Sequence, residues 1–595
     1  MERSPAAELP ATLAPHRDAT GTSALAPRAA ARYPSPVPTY AAGCPRPVHR
    51  AVLCASAIVA FAHLPLASAA AQRLFGSGAD AGVLKRGQAR WTIGGEWSVY
   101  DELLDATGNR RPLGGRFTNN LGAASIGSLA ASELGVRATL QDNTVTVSAG
   151  QLRLREELQR TLVPFSLEVG VTSRLTMSLV VPISLTYVSA VADLNRANPS
   201  PANVALNPAF TVIAAALQAT NVQTQATAAV ASIRALYPAC FAAGAPASCM
   251  PTVLLASNVG NLGAGVATTY GQGSRFAPIA GSALHTQVLA RFTSLNAQLR
   301  SALGVASDPI TARPLPASVR MTVNDLNTFL FASAYGINAD TLTSLERTAL
   351  GDVAIGARYL WANGMALVPA ESGRARAALR FRSAAFVTLR LPTAPPPYLG
   401  QLLDPGSGDA ATAIEWRSST DVAAGENFWI SVTGRYGMVI GDRVKRRVPI
   451  ASGEIFIPSN QLAELERKLG DYAEFEMTPR WMFNDYFALS ADYVLFMRRG
   501  DRYSGASVTG VVPAPAIFPG PLFPDAALLN TGHQTAQRVG IGFSYSTVAS
   551  VARGKAGTPL EIRYQRLQTV GGEGTPFSTQ DRLEFRLYTN LFGRR

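Results

Sequence analysis

The stretch that decides the fold is residues 175–187, which read L-T-M-S-L-V-V-P-I-S-L-T-Y. Every odd position carries a large apolar side chain, whereas the even positions carry Thr, Ser, Val and Pro. Because successive side chains of a strand point to opposite faces, this period of two gives the strand one apolar face and one more polar face. The stretch therefore predicts a β-strand that separates two different environments.

The same alternation recurs along the chain. It predicts strands at 90–100, 132–141, 143–155, 161–171, 174–188, 351–361, 376–391, 412–423, 427–440, 471–483, 485–499, 534–548, 559–570 and 580–592. Short turns mostly alternate with longer segments, as in bacterial outer-membrane barrels, which have short periplasmic turns and long outer loops. We therefore predict an all-β transmembrane fold, an antiparallel barrel of about 14 strands in the outer membrane of a Gram-negative-type bacterium. The alternative, a large soluble sandwich, is disfavoured because soluble strands are shorter.

The region before the first strand has the pattern of a secretory signal peptide at 46–71. Arg46, His49 and Arg50 precede an apolar run, 51–66, which ends in the small residues 67–71. This order of basic, apolar and small residues is typical of a signal peptide, and the run is too short for a membrane-spanning helix. Residues 1–45 show no periodicity, and we interpret them as a disordered extension or the product of a misassigned start.

The remaining chain divides into three parts by its patterning. Residues 72–188 carry predicted barrel strands 1–5, and 351–595 carry strands 6–14. Residues 189–350 are instead predicted to form a mostly helical extracellular cap, because 209–236 is Ala-rich and a helical stripe of apolar residues follows at 284–299. A shorter amphipathic stretch, 461–469, is expected to join this cap. Cys240 and Cys249 lie close together in the cap, and an oxidising compartment favours a disulfide between them.

The charge of the chain is basic. The net charge of +13 falls to +10 when residues 1–71, which hold six arginines and three acids, are removed. The arginines alternate with apolar residues inside strands and do not gather in one run, so nucleic acid is not an expected partner. A lumen lined with charge is the simpler interpretation.

The inward positions of the predicted strands carry the candidate site, because solute selectivity depends on the charges that line a lumen. The lumen and selectivity candidates are Arg380, Arg382, Arg390, Arg358, Arg435, Arg417, Glu415, Glu474, Glu476 and Asp492. Arg137, Arg153 and Arg155 are also predicted to point inward. Two readings stay open: an open lumen would prefer anions, whereas Arg and Glu paired across strands would fill it. Within the set, Arg380, Arg382 and Arg390 are predicted to form a patch without acidic partners.

Enzymatic chemistry is not expected. After residue 71 the chain has two histidines, His285 and His533, and neither lies at a spacing suited to a metal site or to a Ser-His pair. Neither a phosphate-binding glycine loop nor a cysteine pair with zinc spacing occurs. We therefore predict no catalytic residues, no metal and no cofactor.

Two segments carry a family resemblance. Residues 165–187, F-S-L-E-V-G-V-T-S-R-L-T-M-S-L-V-V-P-I-S-L-T-Y, and 350–359, L-G-D-V-A-I-G-A-R-Y, resemble the outer-membrane β-barrel family named for the meta-pathway of phenol degradation. More distantly, a barrel with a helical outer cap is similar to the long-chain fatty-acid outer-membrane channels, which pass hydrophobic compounds. The segment between residue 72 and Arg90 is too short for the plug domain of those channels.

The resemblance implies a channel for passive uptake of small hydrophobic or aromatic compounds. Two alternatives remain open: a general, mildly anion-selective porin, and a barrel that serves as scaffold for an extracellular binding or adhesion cap. The expected partners are outer-membrane lipid, a small hydrophobic solute and the barrel-insertion machinery, and the expected state is a monomer. The last strand, 582–592, resembles the assembly signal that this machinery reads, although Gly593, Arg594 and Arg595 follow it.

Overall fold

The computed structural model describes residues 80–197, 199–365, 379–425, 427–505, 524–552 and 556–591. The predicted extension at 1–45 and the predicted signal peptide at 46–71 lie outside the described residues, as does Phe592 at the end of the predicted assembly signal.

The chain forms twenty strands and six α-helices over the described residues. The strands are β1 (Gln88–Leu104), β2 (Arg110–Pro112), β3 (Asn119–Gly122), β4 (Ser148–Gly170), β5 (Leu175–Leu194), β6 (Val204–Leu206), β7 (Phe276–Pro278), β8 (Leu345–Leu350), β9 (Ala354–Asn363), β10 (Leu379–Arg390), β11 (Ala413–Ala424), β12 (Phe428–Val439), β13 (Asp442–Arg447), β14 (Leu462–Lys468), β15 (Tyr472–Met482), β16 (Phe487–Arg498), β17 (Arg502–Ser504), β18 (Gln534–Ser546), β19 (Leu560–Glu573) and β20 (Thr575–Asn590). The helices are α1 (Gly127–Leu140), α2 (Ile213–Leu236), α3 (Met250–Tyr270), α4 (Ala283–Leu303), α5 (Val323–Phe331) and α6 (Val548–Ala552).

Twelve of the strands close into an antiparallel barrel. The order around the wall is β1, β4, β5, β9, β10, β11, β12, β15, β16, β18, β19 and β20, and β1 pairs with both β4 and β20. β8 extends β9, because both pair with β5. The wall strands are joined at one end, the loop end, by the long segments 105–147, 195–344, 391–412, 440–471 and 499–533. The opposite end, the turn end, holds the start of β1 and the end of β20, where Gln88 pairs with Asn590.

The outer face of the wall is apolar. Trp91, Ile93, Leu179 and Val387 expose 47%, 45%, 42% and 48% of their surface, although all four lie in fully paired strands. Their neighbours along each strand point inward; most are polar or small, such as Thr92, Ser178 and Thr388, and Phe386 is an aromatic exception. A continuous belt of large exposed apolar side chains is far more than a soluble monomer tolerates.

The structure has two wall strands fewer than the predicted fourteen, and the first difference lies at 132–141. This segment belongs to helix α1, whose buried residues Leu129, Ser132, Gly135, Val136 and Thr139 follow a helical spacing. A Cβ on Gly135 would lie 2.2 Å from Thr269 Oγ1 of α3, so glycine permits the two helices to approach closely. The small residues that resembled one face of a strand are the contact surface of a helix.

The second difference is that the predicted strands 143–155 and 161–171 form one strand, β4, of 23 residues. A membrane strand needs only about 9–11 residues to span, so β4 continues well past the apolar belt at the loop end. Arg153, Arg155 and Gln159 are exposed on this extension, on the outer face of the strand. Beyond the belt an outward-facing residue is exposed to water and can be polar. The polar residues between 155 and 161 therefore led to the prediction of a turn between two strands.

The region above the loop end contains two apolar cores. The first joins α1, α5 and the β6–β7 ribbon to the ends of β4 and β5, with Leu152, Val188, Phe276 and Phe329 among its buried members. The second lies between α2, α3 and α4.

The stretch 461–469, predicted to be amphipathic and part of the cap, is mostly strand β14, and it pairs with β13 and β17. No helix among the described residues is long and apolar enough to cross a membrane.

Candidate functional site: the barrel lumen and its mouth

Alternation along the wall strands directs charged side chains into the lumen, where most of them pair. Next to the β1–β20 seam, Arg582 lies 2.7 Å from Glu96, and Arg586 lies 2.6 Å from Glu584 and 3.3 Å from Glu561. All of these charged groups are largely buried. Buried charges are tolerated when they are paired in this way. The Arg582–Glu96 and Arg586–Glu561 pairs link neighbouring strands, and the Arg586–Glu584 pair lies within β20.

A second row of inward residues crosses five strands in register. Arg358, Phe386, Arg417, Arg435 and Glu474 are successive cross-strand partners on β9, β10, β11, β12 and β15. The guanidinium groups of Arg358 and Arg417 lie over the ring of Phe386, 4.4 and 3.9 Å from its centroid. Arg435 lies 3.6 Å from Glu474. The row therefore places aromatic and cationic groups side by side in the middle of the lumen.

The remaining acidic candidates are held by hydrogen bonds and ion pairs. Glu415 lies 3.5 Å from Arg435 and accepts a hydrogen bond of 2.6 Å from the Tyr472 hydroxyl. Thr478 donates to Asp492 at 2.8 Å and is 3.2 Å from Glu476. These carboxylates are therefore parts of a packed polar interior.

The predicted patch of Arg380, Arg382 and Arg390 does not exist as a group of cations without acidic partners. Arg382 lies 2.6 Å from Asp421, and Arg390 lies 2.9 Å from Asp409. Arg380 donates to the backbone carbonyl of Gly425 at the turn end. The prediction was wrong because the acidic partners come from β11 and from the loop after β10, which the sequence of one strand does not reveal.

Three further arginines predicted to point inward do not. Arg137 lies on α1 and pairs with Glu133 at 2.5 Å, and Arg153 and Arg155 are exposed on the extension of β4.

The chain segment before β1 enters the lumen at the turn end. Asp80 lies 3.5 Å from Arg563 and 3.8 Å from Arg382, and the amide of Ala81 donates to Asp421 at 3.0 Å. The amide of Leu84 donates to Thr176 at 3.0 Å, and both ends of the segment are thus fixed to the wall. This segment, 80–85, is termed the inner segment below.

A small cavity lies beside the inner segment. A polar cavity of about 50 Å³ lies between Asp80, Arg90, Glu168 and Arg586. A water molecule needs about 10–15 Å³ of such space, so the cavity has room for a few waters and is too small for an aromatic ring.

At the loop end, the segment 391–412 folds over the mouth and is termed the mouth loop. Asp352 accepts hydrogen bonds from the amides of Ala394, Asp409 and Ala410 at 3.1, 3.0 and 3.3 Å. Arg160 donates to the carbonyl of Ser407 at 2.8 Å, and Arg347 forms an ion pair with Asp404. Charged groups of the wall therefore hold the loop along most of its length.

A larger pocket lies outside the mouth loop and is termed the mouth pocket. It has a volume of about 240 Å³ and is lined by the mouth loop, the turn Leu113–Phe117 and strand β13. Phe117, Tyr398 and Leu402 contribute apolar walls. Medium-sized pockets with apolar walls and a few polar groups are typical of small-molecule sites.

The two cysteines of the cap are brought together as the sequence predicts. Their Cα atoms lie 5.1 Å apart and the structure joins them by a disulfide, between α2 and α3. No group of three or more His, Cys, Asp or Glu side chains within the described ranges is arranged to hold a metal ion.

Several residues that organise the lumen were missed by sequence reasoning. Asp421 has the same strand parity as Glu415, so alternation could have found it. Asp80 and Asp409 lie outside the predicted and the observed strands, where period two gives no signal, and Asp352 precedes β9 although it lies in the predicted strand 351–361. The mouth pocket combines residues from segments more than 400 positions apart and has no local signature.

With this geometry established, the chain can be compared with known proteins. It is similar to an outer-membrane channel from Pseudomonas putida F1, with a TM-score of 0.37 and 8% identity over 87% of this chain and 100% of that chain. It is also similar to the translocator domain of autotransporter NalP from Neisseria meningitidis, with a TM-score of 0.25 and 6% identity over 85% and 90% of the two chains. The Pseudomonas putida toluene transporter TodX matches with a TM-score of 0.21 and 8% identity over 89% and 98%.

No protein-family model and no curated protein matches the chain, so the resemblance to the meta-pathway family stays a prediction. Likenesses this remote carry no argument about function.

Proposed function

We propose that the protein is a monomeric outer-membrane channel through which small hydrophobic or aromatic compounds pass by diffusion, without a cofactor. The single observation that carries this proposal is the contrast between lumen and mouth. The lumen is filled by paired charges and the inner segment, whereas the mouth offers a pocket with apolar walls. A site that collects apolar solutes at the outer surface is useful to a conduit for them and of no use to a water-filled pore.

The belt of exposed apolar side chains supports a location in a membrane, because each would be unfavourably hydrated in a soluble protein. In this orientation the loop end faces outward and the turn end faces the periplasm, as the lengths of the connections favour. Barrel size also fits, because eight strands leave room only for side chains and about 16–18 leave an aqueous channel.

The porin alternative is less well supported. An open, anion-selective lumen needs arginines that face water, and Arg382, Arg390 and Arg435 instead lie against carboxylates. The scaffold alternative keeps one favourable observation, the separate apolar core between α2, α3 and α4.

The proposal is tested by uptake of radiolabelled toluene into Gram-negative cells that lack their own hydrocarbon channels. Cells that produce the chain are expected to take up toluene faster than cells with an empty vector, because lipopolysaccharide otherwise slows its entry. The variant Leu402→Glu places a charge in the mouth pocket and is expected to reduce the increase in toluene uptake. Equal uptake with and without the chain, with the barrel folded in the membrane, would contradict the proposal.

A further inference from the structure

The mouth pocket has an unusual combination of walls and charge. Its apolar part includes Phe117 and Leu402, together with Tyr398, which is 64% exposed, and Leu399, which is 38% exposed. Tyr398 and Leu399 belong to the mouth loop and lie outside the membrane belt, so lipid does not cover their exposed apolar surface. They are available to a ligand that brings an apolar surface of its own.

The same pocket is lined by five cations and two carboxylates. One carboxylate, Asp404, is paired with Arg347, which does not line the pocket, and one cation, Arg467, is paired with Asp442. In the described part of the chain, none of the other four cations forms an ion pair with a carboxylate: these are Arg116, Lys445, Arg446 and Arg447. The pocket therefore combines apolar walls with an excess of cationic side chains.

Arg116 is the cation most closely fitted to the apolar wall. Its Nη2 donates to the carbonyl of Leu402 at 3.1 Å, and its guanidinium lies 4.5 Å from the centroid of the Phe117 ring. Its Nε is buried without a hydrogen-bond partner among the described residues. A buried donor without an acceptor is costly, and a ligand oxygen would relieve that cost.

The second carboxylate of the pocket, Glu454, does not cancel this charge fully. It is buried, and its Oε2 accepts a hydrogen bond of 2.9 Å from the amide of Ile450. Burial raises the pKa of Glu454 to about 7, so a large fraction of these side chains is neutral near neutral pH.

We propose that the mouth pocket binds small aromatic carboxylates, with the ring against Tyr398 and Leu402 and the carboxylate against Arg116 and Arg446. This inference rests on the proposed function and adds aromatic anions to the hydrophobic compounds for which the channel is proposed. The volume of about 240 Å³ suits one substituted ring, because sites for drug-sized ligands have about 300–1,000 Å³. Guanidinium groups match the planar carboxylate through paired hydrogen bonds.

The test compares benzoate with benzamide, which has the same shape and no charge, by calorimetric titration of the purified full chain in detergent. Benzoate is expected to bind at least about tenfold more tightly, the effect of one charge-assisted hydrogen bond. Two variants, Arg446→Gln and Arg116→Gln, are expected to weaken benzoate about tenfold each and to leave benzamide unchanged. Arg443→Gln is the matched control, because Arg443 is an exposed arginine on the same strand that does not line the pocket.

Equal affinities for benzoate and benzamide, absence of benzoate binding, or an equal loss in Arg443→Gln would overturn the inference. Heat-modifiable migration on gels shows that each variant is a folded barrel. Arg446→Lys keeps the charge and loses the planar pair of donors, and it is expected to bind benzoate more weakly than the unaltered chain and more tightly than Arg446→Gln. Toluene uptake is measured on the same variants. Uptake without discrimination between benzoate and benzamide refutes only this inference, whereas benzoate binding without uptake refutes the proposed channel.

Discussion

Arg390 of β10 and Asp409 of the mouth loop form an ion pair, with 2.9 Å between Nη2 and Oδ2, and their side chains expose only 4% and 2% of their surface. Asp352 accepts hydrogen bonds from the backbone on both sides of this loop. The loop that covers the mouth is thus fixed by buried charges of the barrel wall, and its opening requires that these contacts break.

The first prediction concerns this pair. Asp409→Asn removes one partner and leaves Arg390 buried beside a neutral amide, a change that costs about 3–5 kcal/mol in other buried pairs. The mouth loop is therefore expected to open more often, and the ionic conductance of single barrels in a planar bilayer should rise. The control is Arg443→Gln, which alters an exposed pair with Glu466. Conductance equal to that of the unaltered chain would show that the loop does not limit passage.

A second prediction concerns the inner segment at the turn end. Asp80→Asn weakens the attraction to Arg382 and Arg563, so the segment should leave the lumen more readily. Protease added on the periplasmic side is expected to cut the segment faster in this variant. Lys85→Gln changes the charge of the same segment at an exposed position, and its cleavage rate should match that of the unaltered chain. Equal protection of the Asp80→Asn variant would mean that backbone contacts alone hold the segment.

The third prediction concerns pH at the mouth pocket. Burial raises the pKa of Glu454 from 4.5 to about 7, so the folded loop favours the neutral carboxyl. The resulting stabilisation is complete below pH 4.5 and is lost as the pH rises through about 7, a change of up to about 3 kcal/mol. Amide exchange of residues 448–461, corrected for its intrinsic pH dependence, should therefore accelerate across this range. In Glu454→Gln the corrected rates should be independent of pH, and a pH dependence that survives there belongs to another group.

A fourth prediction tests the membrane belt. Leu179→Arg places a charge on the lipid-facing surface of β5 and should reduce the free energy of unfolding in lipid by about 2–4 kcal/mol. Leu217→Arg makes the same substitution at a residue of α2 that is 57% exposed, and surface changes of this kind usually cost less than about 0.5 kcal/mol. Urea unfolding of both variants in the same vesicles gives the comparison. A similar loss in the free energy of unfolding for both variants would mean that Leu179 faces water and not lipid.

The wall of the barrel could be predicted from the sequence wherever the strand lies between lipid and lumen. In 175–187 the alternation has a physical cause on both faces, and the predicted strand 174–188 lies within β5 except for its first residue. Above the belt that cause is missing, and the extension of β4 was divided into two strands with a turn between them. At 132–141 the spacing of small residues in a helix contact was mistaken for period two.

The sequence predicts which charged residues face the lumen, but it does not predict which of them form ion pairs with each other. Alternation predicts an inward position for Arg382, Arg435 and Glu474, because parity decides the face. The structure places Arg382 against Asp421 and Arg435 against Glu474. Which charges meet depends on register and on segments outside the strands. Arg382 meets Asp80 and Asp421, and Arg390 meets Asp409, through contacts that no local pattern encodes.

The central claim is that the barrel is a conduit for apolar solutes with a filled lumen, and it is tested most directly by the conductance of the purified chain in a planar bilayer. With the mouth loop and the inner segment in place, we expect barrels with intact heat-modifiable migration to show little conductance and no marked anion selectivity in the reversal potential. Co-sedimentation of the chain with the lipid shows independently that the barrels are inserted, and Asp409→Asn is expected to conduct more in the same experiment. A large, steady and anion-selective conductance of the unaltered chain would contradict the account and identify an open porin.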